Sequence, residues 1–304
     1  MQYRILGKTG LKVSAVGFGG IPIQRIDARG TRALMERLVE KGVNYIDTAR
    51  GYTVSESYLG EALSGGLREK FILATKSMSR GYADMARDIG ISLSNLRTDY
   101  IDLYQLHNIK SDADFELAFS AEGAVAAIQD AIRAGKVGHL GATAHSVDSF
   151  ERLLSYPEIE TIMFPYNIVE SQGEALMERA AAQNVGVIAM KPLAGGNITD
   201  GTLAMRYILQ NKTCTLAIPG MATLEEIEQN TAAAEQDGPL TPEELAACEA
   251  IRAGLSGNFC RRCGYCAPCT VGIDIPGIFT LENYLKHYDL ADWVLSNFTG
   301  PEDK

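Results

Sequence analysis

The chain has 304 residues, 46% hydrophobic and 22% charged, which is the make-up of a soluble globular enzyme. Its formal net charge of −10 argues against a nucleic-acid or anionic-membrane partner. No apolar run reaches the roughly 20 residues of a membrane helix, and MQYRILGKTGLKV lacks the apolar core of a signal peptide, so a cytoplasmic protein is expected.

Residues 2–12, with Gly7 and Gly10, read as a hairpin capping one end of the fold. Strands are then expected over Ser14–Phe18, Val43–Asp47, Phe71–Lys76, Tyr100–His107, Val137–Ala142, Thr161–Phe164, Gly186–Met190 and Thr213–Ile218. Segments with helical period, such as Thr31–Val39 and Glu174–Ala180, lie between them. Strands alternating with helices pair in parallel through right-handed crossovers, and a count of eight predicts an α/β fold of the (β/α)8 TIM-barrel type. A doubly wound open sheet is the second choice. Against it, GFGGIPIQ after the first strand lacks both the G-x-G-x-x-G spacing and an immediate helix. Helices are also expected from Ile218 to Asn230 and from Thr241, as N-cap, to Arg252. Residues 1–253 thus form the barrel, and residues 254–304 a tail punctuated by Gly, Cys and Pro.

Catalytic groups of such barrels sit at the carboxyl ends of the strands. Asp47 ends the second strand, Tyr52 lies in the loop after it, Lys76 ends the third and His107 the fourth. Singly, each has a bland reading: a helix cap, a solvated lysine, a structural histidine. All four in this register point to chemistry. Ser55, Glu56 and Glu61 open a helix with Tyr58, Leu59 and Leu63 on its apolar face.

The stretch NYIDTARGYTVSESYLG closely resembles the active-site segment of the aldo/keto reductases, Asp-Thr-Ala-x-x-Tyr-x-x-Ser-Glu-x-x-Leu-Gly. Asp47, Thr48, Ala49, Tyr52, Ser55, Glu56, Leu59 and Gly60 fill every fixed position. The resemblance covers nearly the whole chain and implies an NAD(P)H-dependent oxidoreductase acting on a small-molecule carbonyl or alcohol. Asp47, Tyr52, Lys76 and His107 match the family tetrad. Hydride delivery to a carbonyl requires a proton for the developing alkoxide. Tyr52 can give it, an adjacent Lys76 is expected to lower its pKa from about 10, Asp47 fixes Lys76, and His107 orients the carbonyl oxygen.

The resemblance also places the cofactor across the barrel mouth, with its phosphates at late loops and a helix N-terminus. The usual NADPH pattern has Lys-Ser, then Arg, then Asn. Here Gly220, Met221 and Glu226 take the first three places and Asn230 keeps the last, where it would bond the adenine. A 2′-phosphate would meet a carboxylate, which leans the choice toward NADH. The nicotinamide amide, usually held by a Ser-Asn pair and a Gln, would find Thr143 or His145, with Asn167 in reach and Met163 at the Gln place. Lys191, Leu193, Gly195 and Gly196 would lie near the pyrophosphate, although Lys191 could instead form a rim salt bridge.

Cys260, Cys263, Cys266 and Cys269 recur at a three-residue period, which in a reducing compartment suggests metal more than disulfides. The run resembles the ferredoxin-like tail of one set of aldo/keto reductases, followed here by Gly272 to Pro276. In those relatives a second cysteine run follows, and none does within these residues. Three options stay open: one 4Fe–4S cluster on all four thiolates, a cluster on three with an outside ligand, or zinc. An iron centre would also admit an electron-transfer partner. A competing class is a nucleotide-binding regulatory barrel without catalysis, which the altered nicotinamide pocket favours and the intact tetrad opposes.

Overall fold

The computed structural model describes residues 1–236, 238–257, 259–261, 266 and 269–297. A two-stranded antiparallel hairpin, Tyr3–Ile5 with Lys12–Ser14, comes first. Eight strands follow in one parallel sheet: β1 (Phe18–Gly19), β2 (Tyr45–Asp47), β3 (Ile72–Ser77), β4 (Ile101–Leu106), β5 (Val137–Thr143), β6 (Thr161–Pro165), β7 (Gly186–Met190) and β8 (Leu216–Ala217). Each pairs with its sequence neighbour. Bridges Val16↔Ala217 and Gly19↔Gly220 join the two edges, so the sheet closes into the expected barrel.

Closure depends on a close approach that only glycine allows. A Cβ on Gly220 would lie 2.7 Å from the Pro22 ring, and one on Gly19 about 3.0 Å from the Ile218 carbonyl. Gly19 therefore lets the two edges meet, and Gly220 makes room for Pro22 beside them. Leu6, Val13, Tyr45, Leu103, Met163, Ile188 and Leu216 fill the barrel interior. Leu6 packs onto Gly186 at the amino end of β7, so the hairpin plugs the end opposite the carboxyl-side loops. A larger apolar layer separates the strands from the helices.

Most strands begin or end one or two residues from their expected limits, and the first and eighth, which depart furthest, are explained by side chains. The first strand is interrupted at Ser14, whose hydroxyl donates to the Val16 carbonyl while its amide donates to Asn44 Oδ1, and this turns the chain between hairpin and barrel. The eighth starts late because Asn211 Oδ1 accepts from the Thr213 amide and hydroxyl, holding that segment in a turn.

The expected helices form, with identifiable caps. Asp27 caps Ala28–Glu40, and Thr223 with Glu226, and Thr241 with Glu244, form capping boxes on Leu224–Ala232 and Pro242–Leu255. Ser55 departs from expectation: it is the first residue of Ser55–Ala62 and caps nothing, because its hydroxyl bonds Thr48 and the Gly20 carbonyl. The limit expected at residue 253 falls inside Pro242–Leu255. Beyond it, helix Ile275–His287, capped by Asp274, lies back on the barrel, and Ala291–Asn297 follows. No helix among the described residues is long and apolar enough to cross a membrane.

Candidate active site

The carboxyl ends of β2, β3 and β4 bring the expected quartet together. Lys76 Nζ donates to Asp47 Oδ1 and, at 2.9 Å, to the Thr48 carbonyl. Both side chains are only 2% exposed. Gln105 Nε2 donates to the second Asp47 oxygen at 3.1 Å. The Lys76 ammonium lies 4.7 Å from the Tyr52 ring centroid, over its face, and the His107 ring meets Tyr52 edge-on at 5.9 Å.

The electrostatics differ from expectation at Tyr52. Its phenol is pushed well above the usual range, first by burial, then by Asp47 and Tyr288, so the lowering expected from Lys76 does not prevail. The reason is geometric. The ammonium sits at the ring face beside the Asp47 carboxylate, whose negative charge opposes its effect on the neighbouring phenol. Burial pulls Lys76 itself downward and pushes Asp47 upward, while their mutual contact opposes both shifts. The hydrogen bonds that Asp47 accepts favour its carboxylate form.

His107 is pushed down to about 3, by burial first and then by Lys76 and Arg80, and so is neutral near pH 7. Its Nδ1 is buried without a partner among the described residues. A lone buried acceptor is better tolerated than a lone N–H, so the proton belongs on Nε2, ready to donate.

The sequence reading missed Gln105 altogether and, although it named Glu56 as a motif position, missed the bonds that Glu56 makes. Gln105 precedes His107 by two positions, and period-2 spacing along β4 could have marked it as facing Asp47. Glu56, 1% exposed, accepts from Arg50, Thr75 and Ser92 at 2.8–2.9 Å, joining its helix to β3 and to helix Tyr82–Asn95.

The expected cofactor contacts are placed less uniformly. Thr143 is buried and committed: its hydroxyl accepts from the Asn108 amide at 2.7 Å and its carbonyl from Ile109. His145 Nδ1 meets Asn108 Oδ1 at 3.0 Å. Asn167 is fully buried and spends its amide on Val169, Glu170 and the Lys191 carbonyl, which makes it a loop organiser. Met163 and Met221 are core residues. Asn230, 2% exposed, donates to its own helix and packs its Oδ1 under Gly201.

After β7, Lys191 (φ 56°), Gly195 (φ 69°) and Gly196 (φ 94°) make a tight loop, with the Leu193 carbonyl accepting from Gly196 and Ile198. The tail rests on it. A Cβ on Gly196 would lie 2.4 Å from His287 Cβ, and one on Gly195 3.1 Å from Asn283 Nδ2. Asn283 also bonds Asn197 at 3.1 Å. Tyr288, next after this helix, is near enough to raise Tyr52 and is itself acted on by Arg25 and Glu226.

Glu226 does not wait for a ligand. Its Oε2 accepts from the Ala222 and Thr223 amides at 2.6 and 3.0 Å, filling the helix N-terminus with the chain's own carboxylate.

Of the four clustered cysteines, Cys263 lies outside the described residues. Cys260, Cys266 and Cys269 are half-buried and form no disulfide. Among the described residues no set of three His, Cys, Asp or Glu is grouped to hold a metal. The Cys269 thiol is nevertheless pulled below its usual range by the backbone amides of Val271, Ile273 and Gly272, surroundings that suit a thiolate ligand.

A closed parallel barrel carrying an ammonium–carboxylate pair, a phenol and a neutral imidazole at its mouth defines a barrel oxidoreductase. The sequence comparisons agree: the model described as the aldo/keto reductase family matches residues 15–202. The chain belongs to this family.

L-Galactose dehydrogenase of Arabidopsis thaliana is 28% identical over 306 aligned residues, covering 83% of this chain and 94% of that protein. Aldo-keto reductase YhdN of Bacillus subtilis is 26% identical over 229, covering 69% and 67%. Aldo-keto reductase AKR11C1 of Bacillus halodurans, in its holo form, superposes with a TM-score of 0.72 at 26% identity, covering 83% and 96%. These relatives and the quartet favour an enzyme over a regulatory barrel.

Proposed function

We propose that the protein reduces a small-molecule carbonyl, or oxidises the corresponding alcohol, with NADH preferred over NADPH. One observation carries the reading: the buried Asp47–Lys76 pair under the face of Tyr52, with neutral His107 at its edge. Bound nicotinamide would supply the hydride. The loop of Lys191, Leu193, Gly195 and Gly196, with His145 nearby, is the proposed seat for the nucleotide. Tyr52, a neutral phenol, gives its proton to the oxygen that becomes the alcohol. His107 donates from Nε2 to that oxygen and shares its developing charge. Lys76, fixed by Asp47 and Thr48, faces the phenolate that remains and steadies it. The preference for NADH rests on Glu226 already occupying the helix amides.

The cysteine run is proposed as a metal module held by Cys260, Cys263, Cys266 and Cys269, with a 4Fe–4S cluster preferred to zinc because the thiols follow one another so closely. The amides around Cys269 support that assignment. Such a centre would supply one-electron capacity or a structural staple. The barrel and the tail beyond residue 253 act as two functional units in one cytoplasmic protein.

The test is Tyr52→Phe. It removes the proton donor and little else, so carbonyl reduction should fall by at least about a hundredfold while NADH binding stays near parental. Full activity in that variant would overturn the assignment.

A further inference from the structure

Arg80 is buried to 10% exposure, yet it is poorly matched for burial. Its Nε and Nη1 have no partner among the described residues, and its carboxylate neighbour, Asp114, stands 3.6 Å from Nη2. An Arg held this way costs the fold desolvation energy. The good bonds it does make go to one place: Nη2 donates to the carbonyls of His107 at 2.8 Å and Asn108 at 3.0 Å. Asn108 has φ 52°, the left-handed region that a side chain disfavours. Its amide goes to Thr143 Oγ1 and its side chain to His145 Nδ1.

The backbone of Arg80 is pinned on its other side. Its carbonyl accepts from Ala124 at 2.7 Å, Gly81 bridges Gly123, and the Tyr82 amide donates to Glu122. The residue follows Lys76 in the loop after β3 and reaches the turn that ends β4. It therefore spans the two loops that carry Lys76 and His107.

We propose that Arg80 is a positioning residue for His107: its guanidinium clamps the His107–Asn108 turn to the loop after β3 and so fixes the imidazole relative to Tyr52 and Lys76. The role rests on the carbonyl-reduction reading; the clamp itself does not. Its positive charge, after burial and Lys76, also helps to keep His107 neutral.

The experiment compares Arg80→Met and Arg80→Lys with the parent. It uses NADH and 4-nitrobenzaldehyde, together with native-state amide exchange at His107, which donates to the Ser77 carbonyl, and at Asn108. Arg80→Met should lower kcat by about tenfold or more, as expected when an oxyanion donor is misplaced. NADH affinity should fall by much less than kcat, because Lys191, Leu193, Gly195 and Gly196 of the proposed seat are not partners of Arg80 and only His145 bonds the clamped Asn108. Exchange should quicken at His107 and Asn108 and not in β6–β8. Arg80→Lys, able to reach one carbonyl, should fall between.

A folded Arg80→Met with kcat within about twofold of parent and unchanged exchange at both amides would overturn the clamp. If that variant does not fold, a parental kcat and parental exchange in Arg80→Lys would overturn it. A parent that turns over no carbonyl would count against the reductase reading alone, and the exchange result would still decide the clamp.

Discussion

Lys76 presents its ammonium to the face of the Tyr52 ring, 4.7 Å from the centroid, and gives its hydrogen bonds to Asp47 and Thr48. The phenol is thereby left raised and protonated. This sets the population of the two forms: the protonated phenol that reduction needs is always present, and the phenolate that oxidation needs is scarce near neutrality. Reduction should hold its rate up to roughly pH 9, whereas oxidation of the alcohol should climb toward tenfold per pH unit over the same range. Rates in both directions against pH decide it; an oxidation rate flat from neutrality upward would contradict the raised phenol.

His107 gives a stability prediction. Its folded pKa of about 3 lies below the unfolded value, so it favours the fold above pH 6.5, and that contribution is lost as pH falls from 6.5 toward 3. The slope is at most roughly 1.4 kcal/mol per pH unit. Urea midpoints of parent and His107→Gln should converge on acidification through that window. Parallel curves would mean that His107 is not buried neutral.

Glu226 governs the nucleotide choice. Parental NADH should bind at least as tightly as NADPH. Glu226→Gln keeps a side chain able to cap Ala222 and Thr223 but removes the charge, so NADPH should gain about tenfold, or roughly 1.4 kcal/mol. Fluorescence titration of both nucleotides measures this. A strong NADPH preference in the parent would defeat the argument.

Gly196 tests the docked tail. Val at this position places a Cβ against His287 and takes a φ of 94° that costs on the order of 1–3 kcal/mol. In Gly196→Val, amide exchange over residues 283–288 should quicken while β3–β6 stay protected. Unchanged exchange there would show that the tail does not rest on this loop.

The cysteine module is tested by composition. Protein prepared without oxygen should be brown, with about four irons per chain, and Cys269→Ser should lose the colour while the barrel stays folded. Stoichiometric zinc without iron would replace the cluster by a structural zinc site.

Much of this was legible in the residue pattern. Eight strands were readable because each is a short β-branched or apolar run bounded by turn residues. The quartet was readable because Asp47, Lys76 and His107 each lie within one residue of a strand's carboxyl end and Tyr52 follows one. Strand limits near Ser14 and Asn211 were not, since they depend on side chains bonding nearby backbone. The place of the Lys76 ammonium was not readable either, because a long side chain can reach the hydroxyl or the ring face and only packing decides. Thr143 and Asn167 showed their chemistry but not their prior commitments to Asn108, Glu170 and Lys191. Nothing local marked Tyr288, whose role arises from the return of the chain's last helices to the mouth.

That return has a consequence for acidity. Tyr288 lies close enough to Tyr52 to interact with it, and the helix that precedes it rests on two glycines through Asn283 and His287. The surroundings of the Tyr52 phenol are thus partly completed by the return of helix Ile275–His287 and the residue after it. Helix Ile275–His287 begins six positions after Cys269, a tether of at most roughly 20 Å. Whatever orders or loosens the cysteine run is a short lever away from a titration at the barrel's centre.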